Sequence, residues 1–136
     1  MHTTNYLETF IEVAEDCPVE KAEIPPLKNG EKTIAVYHYE LIGNNPYKYT
    51  SDDVIFATFA QKNQIEDTDL EIEREKFFSK GQPCLRSSPL TKRYGWGVHS
   101  NEQGKVAIYP IGSNEYEELC LSTSVKHLKG MRSKRI

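Results

Sequence analysis

Apolar and polar positions alternate over residues 6–14, where Phe10, Glu12 and Ala14 oppose Ile11 and Val13; this predicts a strand with one better-buried face, stopped by Asp16, Cys17 and Pro18. Prolines and the Lys28-Asn29-Gly30 turn make the next stretch an extended connection, too short and too mixed in composition to separate a pair of domains. Residues 33–42 fit two periods. Ala35, Tyr37, Tyr39 and Leu41 alternate as in a strand, whereas Ile34, Tyr37, His38 and Leu41 fall at helical spacing. The Gly43-Asn44-Asn45-Pro46 stop is of the kind that ends helices, and we read a helix. Thr50-Ser51-Asp52-Asp53 has the form of a capping box, and the run Val54 to Ala60 that it opens is apolar nearly all round, so this helix is expected at the centre of the core. The acidic stretch from Glu66, ending in Lys76-Phe77-Phe78 and Lys80-Gly81, predicts a helix whose charges complement its dipole and whose C-cap is Gly81.

The second half predicts a hairpin. Residues 95–99 and 105–109 flank Asn101-Glu102-Gln103-Gly104, a polar loop with glycine where a positive φ is wanted. A short helix capped by Ser113 and a strand over residues 125–130 follow. The expectation is therefore a single α+β domain over residues 1–136. Its mainly antiparallel sheet of three to four strands comprises the amino-terminal strand, the hairpin and the last strand; several short helices pack it, chiefly that of Val54 to Ala60.

A chain of 136 residues is long enough to bury a core without staples. No apolar run reaches the length of a membrane span, and the amino terminus has neither a basic start nor an apolar h-region, so membrane partners and secretion are not expected. Cys17, Cys84 and Cys120 are an odd, widely spaced set without CxxC, which fits a reducing cytoplasm. Charge is uneven, with a balance of −10 over residues 1–73 and +7 over residues 74–136. The halves either form an acidic and a basic face that steers anions, or fold against each other and neutralise. The ending from Lys126 carries five cations and no acid; from about residue 131 it reads as a basic tail, able to touch a phosphate backbone or simply to be solvated.

Chemistry concentrates in residues 80–97. Ser88 followed by Pro89 is an N-cap and first-turn pair, so a short helix should start there with free N–H groups, close to Arg86, Ser87, Lys92 and Arg93. Arg86 can clamp a carboxylate or phosphate with two parallel bonds. Trp96 sits between Gly95 and Gly97, which would let a planar ligand or nucleobase reach its face. Plainer roles compete: Ser88 can merely cap, Arg86 can pair with an acid of the first half, and Trp96 can fill core. Cys84, before that helix start, and His99 make an alternative thiol and base. His2, His38, His99 and His127 show no metal-ligand spacing, and no Gly-rich phosphate loop is present, so no metal and no cofactor is implied. The leading expectation is a non-enzymatic binding module for an anionic small molecule or nucleic acid. A Cys84-dependent enzyme and a self-association domain are the alternatives.

The stretches at residues 9–14, 45–54, 77–86, 88–97 and 131–135 (TFIEVA, NPYKYTSDDV, FFSKGQPCLR, SPLTKRYGWG and MRSKR) resemble, almost end to end, a family of short bacterial proteins classed as a domain of unknown function. The resemblance implies a bacterial cytoplasmic setting and brings no activity or catalytic residues with it.

Overall fold

A computed structural model describes residues 1–134; Arg135 and Ile136, the end of the expected basic tail, lie outside the described residues. The chain forms one α+β domain. The strands are β1 (Thr9–Glu12), β2 (Trp96–Ser100), β3 (Val106–Pro110) and β4 (Lys126–Lys129); the helices are α1 (Ile34–Gly43), α2 (Ser51–Lys62), α3 (Leu70–Phe77), α4 (Pro89–Lys92) and α5 (Asn114–Leu121). The sheet runs β3-β2-β1-β4, with β1 antiparallel to β2 but parallel to β4.

Register and the two-residue period sort the side chains into two faces. Ile11 pairs with Val98 and Val98 with Ile108, so these share a face with Trp96, Ser100 and Val106. Phe10 pairs with His99 and His99 with Ala107, on the opposite face with Gly97 and Tyr109. The first face joins Ile42 of α1, Val54 of α2, Leu85 and Leu90 in the main core; the second packs Phe10 against Tyr116 of α5. Both faces of β1 are therefore covered, not one, because an element lies on each side.

The ambiguous stretch is helical, but its buried stripe is rotated from the expected one. Ala35, Val36, His38 and Ile42 are buried while Ile34 stands exposed. The inward stripe is set by α2, α4 and the sheet, all of which α1 contacts directly, and α2 also sends Val54 into the main core. The helix expected to be central thus divides its apolar residues, giving Phe56 and Ala60 to a separate cluster with Phe78.

The capping box of α2 is complete: Thr50 Oγ1 accepts from Asp53 N at 3.1 Å, and Asp53 Oδ2 accepts from Thr50 N at 3.0 Å. Thr50→Ala should cost about 1 kcal/mol in urea unfolding, the ordinary worth of an N-cap. Gly81 is not the C-cap expected of α3. The helix stops at Phe77 because the next residue, Phe78, is buried beside Phe56 and Ala60, and the turn that buries it ends the helical path. The hairpin loop is as expected: Gly104 has φ +78°, and Asn101 Oδ1 accepts from Gln103 N and Lys105 N.

The charged halves meet at several ion pairs. Lys129 and Arg132 both reach Glu15 at 3.1 Å, and Arg74 reaches Asp53 at 2.9 Å. Asp16 Oδ2 accepts the N–H groups of Ser133 and Lys134. The described portion of the basic tail is thus docked on acids of the first half. Among the described residues no helix is long and apolar enough to cross a membrane.

Candidate functional site

Ser88 does cap α4, accepting from Leu90 N at 3.2 Å, but α4 is a single turn and its start is closed. Ser88 is buried, and its Oγ lies 2.8 Å from His38 Nδ1. No open anion cradle remains at that helix start. Arg86 turns away from it and donates through Nε to the carbonyl of Lys129 at 2.8 Å, tying β4 to the turn before α4. Ser87 donates to Met131 Sδ.

Trp96 is engaged by the protein itself. Its Nε1–H donates to the Glu23 carbonyl at 2.9 Å, and its ring meets Tyr39 edge-on. The space that its flanking glycines were expected to leave for a ligand is filled by the protein. A Cβ on Gly97 would stand 2.7 Å from both the Phe10 and the Tyr116 ring, and one on Gly95 would stand 3.1 Å from the backbone of Ala22. The six anion-site residues are not brought to one hollow: Ser87 and Ser88 border one and Arg93 the next, while Arg86, Lys92 and Trp96 line neither.

Cys84 and His99 do not meet either. His99 lies on the α5 face of the sheet, its Nδ1 2.7 Å from Tyr47 Oη, which is itself 2.8 Å from Tyr109 Oη. Burial lowers the pKa of His99; burial, and then the neighbouring Tyr109, raise that of Tyr47. Cys84 is on the other side of the sheet, with Sγ 3.3 Å from Tyr6 Oη.

Cys84, Ser87 and Ser88 instead line a cavity of about 430 Å³ between α1, α2 and the turn before α4, with His38 in its wall. The remaining lining is chiefly apolar, including Ile34, Ile55, Phe59, Phe77, Pro83 and Pro89. His38 is only 6% exposed, and burial pushes its pKa down to about 4, so it is a neutral imidazole at neutral pH. The hydrogen-bond network assigns its tautomer. Ser88 Oγ already accepts from Leu90 N, and its own proton has His38 Nδ1 as acceptor, so the ring carries its hydrogen on Nε2. Nε2 has no partner among the described residues, nor is it among the fully enclosed polar atoms left unpaired; the cavity is the hollow that His38 lines.

Against this cavity lies a second hollow of about 570 Å³, sharing Ile34, Lys62 and Pro89 with it. Its cations are Lys28, Lys32, Lys62 and Arg93, facing one lining acid, Glu31. Lys32 is engaged with Glu40 at 2.7 Å. The floor is the first turn of α1. Thr33 Oγ1 takes the N–H of Val36, while those of Ile34 and Ala35 have no partner among the described residues. A helix start and three cations without an ion-pair partner among the described residues, Lys28, Lys62 and Arg93, therefore line one hollow, at Thr33 and not at Ser88.

Sequence reasoning missed His38 and Lys62. His38 stood in a helical stripe of apolar residues, the one available signal, but its partner Ser88 is fifty positions away. Among the described residues no group of three or more His, Cys, Asp or Glu could hold a metal ion. Neither the curated proteins nor the solved structures returned a match to the chain. All of residues 1–136 match the model of a family of unknown function (DUF6157), and the chain belongs to that family.

Proposed function

We propose that the protein is a non-enzymatic binding module for a small anionic ligand, held in the hollow where α1 begins. One observation carries the reading: Ile34 and Ala35, whose N–H groups have no partner among the described residues at the positive end of a ten-residue helix, line the same hollow as Lys28, Lys62 and Arg93. A phosphate or carboxylate there would accept from backbone and side chain together. Arg93 is retained from the expected site, and Lys92 and Arg86 are not needed.

The concave shape favours a small molecule over nucleic acid. Of the features expected to meet a polynucleotide, the indole of Trp96 is packed on Tyr39, and Arg132 is engaged with Glu15. A reducing compartment, the bacterial cytoplasm, suits three unpaired cysteines.

Titration of inorganic phosphate and sulfate, followed by backbone amide NMR, tests the proposal. We expect shifts centred on Ile34 to Val36, weakening as sodium chloride is raised. Lys62→Ala and Arg93→Ala should each weaken binding about tenfold, the worth of one charge-assisted bond. Amide signals of Ile34 to Val36 that ignore both anions at low salt would overturn it.

A further inference from the structure

We infer that the anion bound at the start of α1 is the head of an amphiphile, an alkyl or aryl phosphate or carboxylate whose apolar body fills the adjoining cavity and whose linking oxygen accepts a hydrogen bond from His38 Nε2–H. The inference rests on the proposed anion site and adds what is attached to the anion.

Three observations support it. First, the two hollows adjoin, Ile34, Lys62 and Pro89 lining both, so a molecule that passes these side chains would occupy both. The cavity volume, about 430 Å³, lies within the ordinary range for small-molecule sites.

Second, the cavity's polar side chains are largely spent on the protein itself. Thr58 Oγ1 donates to the Val54 carbonyl, Gln82 Nε2 to that of Phe77, and Asn63 Nδ2 to that of Phe59. Ser87 is held by Met131, Ser88 by His38, and Cys84 by Tyr6. What the walls offer an occupant is hydrocarbon surface from Ile55, Phe59, Phe77 and Pro83. A sugar or a base, with hydroxyls or ring nitrogens all round, would leave its polar groups unpaired there.

Third, the ring nitrogen of His38 that has no partner among the described residues is a donor. Nε2–H of a neutral imidazole asks for an oxygen, and an ester or phosphate-ester oxygen between the apolar body and the head would supply it. The arrangement is one for holding, not for attack. Ser88 Oγ is pinned by Leu90 N as well as by His38, and no carboxylate backs the ring as an orienting partner.

The probes are n-octyl phosphate, inorganic phosphate and 1-octanol, titrated into the full-length protein by calorimetry with parallel NMR of the His38 ring nitrogens. Octyl phosphate should bind about a hundredfold more tightly than phosphate, since most of its chain leaves water. Its arrival should shift the His38 Nε2 resonance, which inorganic phosphate leaves in place. Ile55→Trp, which fills the cavity, should abolish the octyl advantage while keeping phosphate binding; should it not fold, the His38 resonance in the wild-type protein decides. Equal affinity for octyl phosphate and phosphate, or an unmoved Nε2 resonance at saturation, would overturn the amphiphile and leave the anion site standing. Failure of all phosphates to bind, with octanol still entering, would instead remove the anion site.

Discussion

Phe10→Ala should lower the stability of the domain by about 3–5 kcal/mol, the range for truncating a fully buried aromatic residue. Phe10 is completely enclosed, and its ring meets Tyr116 edge-on at 5.1 Å between centroids. It lies in the space over Gly97, where a Cβ would come within 2.7 Å of it. The pair is the main link between the sheet and α5, and Tyr116 fastens it further by accepting the Val13 N–H at 2.9 Å. Removing the ring opens a void beneath Tyr116 that a glycine on β2 has no side chain to fill. The same crowding predicts the opposite failure: Gly97→Ala adds one methyl to a filled space and should cost about 1–3 kcal/mol by overpacking. Urea unfolding monitored by circular dichroism measures both. A loss below about 1 kcal/mol for Phe10→Ala would mean that α5 is held by something other than this contact.

These two residues also show what could be read from the chain and what could not. Signals that act within a few residues were legible. Thr50 and Asp53 close a capping box on each other, Ser113 accepts from Tyr116 N, and Gly104 supplies the left-handed turn of the hairpin. Each partner lies within four positions of the other, so the chemistry stands side by side in the sequence. Gly97 reads alone as an opening beside Trp96, whereas it is a seat for Phe10, a residue 87 positions earlier in the chain. Trp96 and Arg86 carried the right chemical types for a ligand site, but their partners are backbone carbonyls of Glu23 and Lys129. No side-chain pattern announces a carbonyl. The rotated stripe of α1 has the same origin. Helical spacing allows two adjacent faces, and the choice between them is made by α2, α4 and the sheet, which α1 packs against and which leave Ile34 out. His38 belongs to both faces, so it is buried in either case, and the rotation decides only which apolar residues are buried with it.

The burial of His38 should be visible as a pH dependence of stability. Its pKa is near 6.5 in the unfolded chain and about 4 in the fold, so between these values the unfolded state takes up a proton that the folded state refuses. The unfolded state binds more protons there, and stability must fall as pH is lowered through that window, by about 1.4 kcal/mol per unit and about 3 kcal/mol in all. His99, whose pKa burial also lowers, adds to the decline in the upper part of the range. Carboxylates act lower down. Lys129 and Arg132 hold Glu15 below its usual value of 4.5, and Asp53 is held below 3.8 by Thr50 and Arg74 against the opposing effect of burial; each releases its stabilisation as pH falls from that usual value through its folded one, at the bottom of the window and below it. The groups facing His38 from the packed elements are Ser88, Cys84 and Lys62, none of which is an acid that could stabilise an imidazolium. His38→Gln cannot take up the proton, so its stability should be nearly flat between pH 6.5 and 4.5 apart from the His99 contribution, although lower than wild type at neutral pH because a fitted ring is lost. Urea midpoints for both proteins across that range give the difference in slope directly. Parallel curves would show that the imidazole is hydrated and charged in the fold, and the donor assigned to Nε2 would then face water instead of an apolar wall.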